Sequence, residues 1–123
     1  MAENMTPNEE KLRKSLIELA IENWKTTQVF HKLLLKADVQ DQLRYNNKLN
    51  WFMKKTEDYL EAAGLRVVNV EGEKYDTGMA VTAINLDEYE NAPTLIVEKM
   101  LEPIIMGPNG VERTGTVILK EGK

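Results

Sequence analysis

The chain has 123 residues, of which 42% are hydrophobic and 29% are charged, which is typical of one globular domain or of a helical module joined to a small sheet module. It contains no cysteine, which excludes a disulfide framework, a thiol nucleophile and a thiolate metal site. The net charge of −4 comes from residues 65–123, which carry six Lys/Arg and ten Asp/Glu, so this half is not expected to bind nucleic acid.

The sequence also lacks the patterns of a membrane or secreted protein. No apolar run approaches the roughly 20 residues that a membrane-spanning helix needs. The first five residues have neither the basic region nor the apolar region of a secretory signal. We therefore expect a cytoplasmic protein without a membrane partner.

The first predicted element is a helix that begins at Pro7. Thr6 has the position of an N-cap, Pro7 that of the first helical residue, and Glu9 that of the third residue in a capping box. The apolar residues that follow show a 4-3 alternation if Asn23 and Thr26 are included. This seam consists of Leu12, Leu16, Leu19, Asn23, Thr26, Phe30 and Leu33, and a second apolar flank consists of Ile17, Ile21 and Trp24. An apolar surface of this width predicts a helical bundle.

A second helix is predicted after a break between Lys36 and Asp38. Asp38, followed by Asp41 three residues later, has the pattern of an N-cap, and one continuous helix over residues 7–63 is the alternative. The helix should end at Gly64, because the apolar spacing contracts there and glycine readily adopts the positive φ of a helix C-terminus. Its apolar side consists of Val39, Leu43, Leu49, Phe52, Met53, Thr56, Tyr59, Leu60 and Ala63.

Two helices with apolar surfaces this wide cannot bury them against each other alone. They either cover the sheet of the same chain or pair with a second copy, and we expect a homodimer with a four-helix bundle. Asn23 in the seam either sets the register between the two copies or faces water. The predicted dimerisation residues are Leu12, Leu16, Leu19, Asn23, Phe30, Leu49, Phe52 and Leu60.

The second half is predicted to be a small β domain. Its four short antiparallel strands cover residues 65–70, 79–84, 94–106 and 111–120. Pro103 interrupts the third strand, an acidic loop covers residues 85–93, and residues 107–110 form the strongest hairpin signal. The expected fold is therefore α+β, with a helical dimerisation region in residues 1–64 and a β domain in residues 65–123.

Few residues are candidates for catalysis or metal binding. Asp76, Thr77 and Gly78 form the triplet of aspartic proteases, and residues 104–107 resemble its supporting element, but no flap hairpin fits between the two. The other interpretation of the triplet is a polar turn. His31 is the only histidine and has no carboxylate four residues away on either side, so we expect no metal site. We expect a protein that is not an enzyme, needs no cofactor and works by contact.

Four segments carry a resemblance to a known family. They are residues 60–68 (LEAAGLRVV), 75–81 (YDTGMAV), 87–94 (DEYENAPT) and 110–117 (GVERTGTV). In order and spacing they resemble a helix end with the first strand, the approach to the second strand, the acidic loop and the closing hairpin of the GrpE family. Members of that family are nucleotide exchange factors of DnaK-type chaperones.

The resemblance implies a homodimeric co-chaperone whose β domain binds the nucleotide-binding domain of a DnaK-type chaperone and promotes ADP release. The chaperone-binding residues that it implies are Met79, Met106, Asn109, Glu112 and Arg113. The chain departs from the family pattern in several places. It lacks the histidine before Met79, has Glu102, Pro103 and Ile104 in place of a glycine-aromatic pair, lacks a basic residue after the hairpin glycine, and has a shorter N-terminal helix. A dimeric GrpE-fold adaptor without exchange activity is therefore the alternative.

Overall fold

The computed structural model of the chain describes residues 5–89 and 91–122 and has an α+β architecture. In these residues the elements are α1 (Pro7–Leu35), α2 (Val39–Ala62), β1 (Arg66–Val68), β2 (Val81–Ala83), β3 (Leu95–Glu102), β4 (Ile104–Gly107), β5 (Gly110–Arg113) and β6 (Gly115–Glu121). The chain divides into a helical unit, Met1–Asp58, and a strand unit, Tyr59–Lys123. Glu90 of the predicted acidic loop and residues 1–4 lie outside the described residues.

Helix α1 begins where the sequence predicts. Thr6 is extended, with φ −69° and ψ 159°, and its hydroxyl oxygen accepts a hydrogen bond of 3.1 Å from the N–H of Glu9. This bond satisfies one of the first-turn N–H groups that have no partner within the helix. The buried residues of the helix are Ile17, Ala20, Ile21, Thr27 and Leu34.

The predicted break between the helices is confirmed, and the alternative of one continuous helix is wrong. The carboxylate of Asp38 accepts a hydrogen bond of 2.9 Å from the N–H of Asp41, as an N-cap does. The side-chain amide of Gln42 donates to the carbonyl oxygens of Leu35, at 3.3 Å, and Ala37, at 2.9 Å. One side chain of α2 therefore satisfies carbonyl groups that α1 and the connection leave without helical partners.

The end of α2 also follows the prediction. Gly64 has φ +76°, and its N–H donates to the carbonyl oxygen of Glu61 at 2.9 Å. The N–H of Leu65 donates to the carbonyl oxygen of Leu60 at 2.9 Å, which completes a Schellman motif. Leu60 and Leu65 are both buried, so a buried apolar residue lies on either side of this turn.

The strand unit contains two three-stranded sheets rather than the single four-stranded antiparallel module that the sequence predicts. The first sheet has the order β1-β4-β5 and is antiparallel. The second has the order β2-β6-β3, and β2 runs parallel to β6. The prediction is wrong because two of the predicted strands divide. The chain leaves one sheet and enters the other at Pro103, between β3 and β4, and again at Thr114, between β5 and β6.

The residues at these crossings explain why the strands divide there. Pro103 is fully buried, and proline has no N–H to donate to a ladder. Next to Thr114, a Cβ on Gly115 would lie only 2.9 Å from the carbonyl oxygen of Glu102 and 2.8 Å from Cε of Met100. Any larger residue at position 115 would therefore displace backbone at the other crossing.

The core of the strand unit lies around these crossings. Its most deeply buried side chains are Val97, Met100, Pro103, Ile105, Val117 and Leu119. The side chain of Asn85 extends the pairing of β2 with β6, because its amide donates to the carbonyl oxygen of Leu119 and accepts from the N–H of Leu119, both at 2.9 Å. The predicted acidic loop contains a short 3₁₀ helix, Leu86–Tyr89.

Across residues 5–89 and 91–122, neither α1 nor α2 combines the length and the apolar character that crossing a membrane requires.

Candidate functional site

The β4-β5 hairpin carries four of the five residues implied as chaperone contacts. Gly107 pairs with Gly110, so the loop consists only of Pro108 and Asn109. Gly110 has φ +121°, and no non-glycine residue of the described chain has a positive φ. A type I′ turn needs positive φ at both central residues, so this turn is of another type. The positive φ lies instead at Gly110, directly after the loop. The predicted hairpin is confirmed.

The register of the first sheet places Met106 in a row across three strands. Met106 pairs with Arg66 on β1 and with Val111 on β5. Directly paired residues project on the same side of a sheet, and neighbours along a strand project on opposite sides. Met106 is half-buried and lies on the opposite side of β4 from the fully buried Ile105, with the exposed Arg66 and Val111 beside it.

Arg66 and Val111 were missed by the sequence analysis. The hairpin turn would have identified Val111, because a two-residue loop fixes which residues oppose each other. Nothing in the sequence indicates Arg66, since its position beside Met106 depends on the pairing of β1 with β4, nearly forty residues apart.

The other hairpin candidates do not share one orientation. Asn109 is exposed in the loop. Glu112 is exposed at a β-bulge, because the register shifts between the pairs of Ile105 with Arg113 and Met106 with Val111. Arg113 is half-buried and pairs with Ile105, which places it in the row that faces the core. The hairpin therefore presents Met106, Asn109 and Glu112, while Arg113 lies at its inner side.

Met79 stands apart from this group. The sequence analysis placed it on a strand next to the hairpin, but β2 begins at Val81 and pairs with β6 in the second sheet. Met79 lies in the preceding turn, where its sulfur accepts a hydrogen bond of 3.3 Å from the N–H of Asp76. The expected placement is wrong because it assumed one sheet.

The predicted dimerisation residues fall into exposed and covered groups. Leu12, Leu19, Phe30 and Phe52 are exposed, by 63%, 57%, 40% and 43% respectively. Leu16 and Asn23 are half-buried, and Leu49 and Leu60 are buried within the single chain. On α1 the residues that the chain covers include Ile17 and Ile21, the second flank of the sequence analysis. The predicted seam of α1 is therefore the side of the helix that is more exposed to solvent.

The Asp76-Thr77-Gly78 triplet forms the polar turn that was the second interpretation. Oδ1 of Asp76 accepts from the N–H of Gly78 at 3.2 Å, and its carbonyl oxygen accepts from the N–H of Met79 at 2.9 Å. Asp76 is exposed and lines an open groove of about 950 Å³ in the strand unit, together with Tyr75, Asp87 and other residues. The carboxylate is thus held in a local turn bonded to its own backbone neighbours.

The remaining residue considered for metal binding is His31, which is exposed on α1. Within the described part of the chain, no three residues of His, Cys, Asp or Glu come together in a way that could hold a metal ion. Comparison with known proteins finds no matching family model, no similar curated protein and no similar solved structure. The hairpin surface and the exposed seam of α1 are the two candidate sites that the described residues offer.

Proposed function

We propose that the chain is a GrpE-like nucleotide exchange factor, a cytoplasmic homodimeric co-chaperone that binds the nucleotide-binding domain of a DnaK-type chaperone and promotes ADP release. The observation that supports the proposal is the β4-β5 hairpin, which presents Met106, Asn109 and Glu112. Its second strand belongs to residues 110–117, the segment that resembles the family's closing hairpin in sequence. The order of a helix end, a first strand, an acidic segment and this hairpin supports the same assignment.

The hairpin is a preorganised contact surface because its loop is held against the end of α2. The Cβ position of Gly64 lies 3.3 Å from Cγ of Pro108, so the hairpin loop and the helix C-terminus are in close contact. β4 pairs on its other side with β1, which follows Gly64 directly. A contact surface fixed on both sides loses little conformational freedom when a partner binds.

Nucleotide release of this kind needs no reactive group. A factor that binds the open, nucleotide-poor conformation more tightly than the closed one shifts the chaperone toward the open state. The difference in affinity is the whole driving force, and a shift from 1:99 to 99:1 requires about a 10⁴-fold difference. A surface that combines an apolar side chain, an amide and a carboxylate provides contacts that depend on the partner's shape.

The exposed seam of α1 supports the homodimer. Leu12, Leu19, Phe30 and Leu33 recur at helical spacing and are 40% to 63% exposed in the single chain. An apolar row of this length in contact with water is unfavourable, and a second copy covers it by a two-fold arrangement in which the same row meets itself.

The test is stopped-flow release of a fluorescent ADP analogue from a DnaK-type chaperone, with and without the chain. The proposal expects faster release that saturates with increasing chain concentration. M106A and E112A should lower the acceleration, because they remove side chains at the proposed contact. E98A is the matched control, since Glu98 is an exposed carboxylate on β3 in the other sheet. Unchanged release at saturating concentration contradicts the proposal.

The alternative is a dimeric adaptor of the same fold, and one observation favours it. The Glu102, Pro103 and Ile104 substitution for the family's glycine-aromatic pair lies at the crossing between the two sheets, where Pro103 is buried. A change there alters how the hairpin is connected to the second sheet. If the chain binds the chaperone by calorimetry and leaves the rate of ADP release unchanged, the adaptor is the correct assignment.

A further inference from the structure

Helix α2 carries a row of basic residues around an exposed tryptophan, which we name the basic-aromatic stripe. It consists of Arg44, Lys48, Trp51 and Lys55. Their spacing of four, three and four residues places them on one side of the helix. All four are exposed, and the side chain of Trp51 is 59% exposed.

Two lysines lie close to the indole ring of Trp51. The Nζ atoms of Lys48 and Lys55 each lie 5.8 Å from the centroid of the Trp51 ring, within the range of a cation-π interaction. Arg44 extends the row toward the start of the helix, and its guanidinium lies 5.9 Å from the ring of Tyr45. The stripe therefore combines an exposed aromatic ring with positive charge close to it.

The stripe does not hold α2 in place. At about 100° per residue, Leu49 and Leu60 lie roughly 160–180° around the helix from Trp51, and these two are the buried leucines of α2. Within residues 5–89 and 91–122, no carboxylate pairs with Arg44, Lys48 or Lys55, whereas Lys54 beside them forms an ion pair with Asp58 at 3.0 Å. The three cations are available to a partner.

We propose that the basic-aromatic stripe binds an acidic peptide segment of another protein. Lys48 and Lys55 are separated by about 10.5 Å along the axis, and Arg44 and Lys55 by about 16.5 Å, at 1.5 Å per residue. Two carboxylates at the shorter of these intervals, for example one per heptad of a partner helix, match Lys48 and Lys55. An apolar side chain between the carboxylates covers Trp51. This proposal goes beyond ADP release and does not depend on it.

The extent of the stripe favours a peptide over a polyanion. Its positive surface is bounded by Asp41 on one side and by Glu57 and Asp58 on the other. Duplex nucleic acid carries a charge about every 1.7 Å, and its binding grows with the number of phosphates neutralised. Three cations on a chain of net charge −4 suit a ligand with a few separated carboxylates.

The experiment uses the fluorescence of Trp51 in the full chain. The chain has two tryptophans, so W24F leaves Trp51 as the only reporter. The probe is a synthetic three-heptad helical peptide with one Glu and one Leu per heptad, compared with the same peptide carrying Gln in place of Glu. We expect a saturable change in emission with the Glu peptide and none with the Gln peptide. Affinity should fall severalfold between about 50 mM and about 300 mM salt, since exposed charges are screened.

Paired variants locate the binding. K48Q/K55Q should weaken binding of the Glu peptide about tenfold, at the upper end of what two exposed ion pairs contribute. K11Q/K14Q is the matched control, because it removes two exposed lysines of α1 and should leave the affinity unchanged. Circular dichroism confirms that both variants keep their helix content. The proposal is overturned if the Glu peptide does not bind, if both double variants weaken it equally, or if single-stranded DNA or phosphatidylserine vesicles bind more tightly than the peptide.

Discussion

The helical unit and the strand unit differ in how completely each covers its own apolar residues. In the described part of the strand unit, the large apolar side chains that remain exposed are Tyr59, Ile84, Leu86 and Val111. In the described part of the helical unit, twelve large apolar side chains remain exposed. These are Leu12, Leu19, Val29, Phe30, Leu33, Leu35, Val39, Leu43, Tyr45, Trp51, Phe52 and Met53. The strands close a core within one chain, whereas the helices leave large apolar side chains exposed to solvent.

This difference shows what a small chain can stabilise by itself. Six short strands that exchange between two sheets surround one core, because the crossings at Pro103 and Gly115 bring the sheets together. Two helices joined at a short connection have no such crossing, and each presents apolar residues on more than one side. The stability of the helical unit should therefore depend on protein concentration, and the stability of the strand unit should not.

The largest effect is expected from a truncation in the strand core. Ile105 has no exposed surface, and I105A should lower the free energy of unfolding by roughly 2–5 kcal/mol through lost burial and a residual cavity. Amide hydrogen exchange of peptides from β3 to β6 measures this loss. V111A is the control, because Val111 is 47% exposed and its truncation should change stability by less than about 0.5 kcal/mol. An equal effect of both variants would contradict a closed core.

The next effect concerns the seam of α1. Leu19 is 57% exposed in the single chain, so L19A should leave the fold of the monomer intact and weaken self-association. The dissociation constant should rise at least tenfold, since burying a leucine side chain contributes about 1.5–3 kcal/mol. Sedimentation equilibrium measures the constant, with S15A as an exposed control on the same helix. If L19A associates as the unmodified chain does, the seam is not the dimer interface.

A smaller effect is expected at the C-terminal end of α2. Gly64 has φ +76°, and a Cβ there would lie 3.3 Å from Pro108, so G64A should destabilise the chain by about 1–2 kcal/mol. G78A provides the comparison, because Gly78 has no positive φ and a Cβ would meet its nearest neighbour, Asp76, at an ordinary 3.5 Å. Urea unfolding followed by circular dichroism should show G78A unchanged or slightly stabilised. The reverse order of the two variants would refute the Schellman end of α2.

The smallest of these effects is at the break between the helices. Asp38 accepts from the N–H of Asp41, and D38A removes this cap at a cost of about 1 kcal/mol. D38N should retain most of the stability, since an amide oxygen also caps a helix. Thermal unfolding of the unmodified chain, D38N and D38A at one protein concentration gives their order of stability. A D38A variant as stable as D38N would show that the side-chain amide of Gln42 alone fixes the connection.

Local features of the fold were predictable because each depends on a few neighbouring residues. The cap at Thr6, the break before Asp38, the helix end at Gly64 and the hairpin ending at Gly110 all follow from the backbone preferences of single residues. Four of the five candidate contacts lie on this hairpin, so the same local signal also predicted where in the fold these residues lie.

The arrangement of the sheets could not be predicted in the same way. Strands of three residues, such as β1 and β2, are too short to display an alternating pattern. The parallel pairing of β2 with β6 joins residues more than thirty positions apart, and the side chain of Asn85 completes it by bonding to Leu119. A sequence pattern contains no signal for such a pairing, and the placement of Met79 was wrong for this reason.

The mass of the full chain in solution tests the contrast between the two units most directly. Sedimentation equilibrium should give twice the mass of one chain at tens of micromolar and dissociation on dilution, because the exposed seam of Leu12, Leu19, Phe30 and Leu33 meets its copy. A strict monomer at that concentration, with the seam residues freely exposed, would contradict the account.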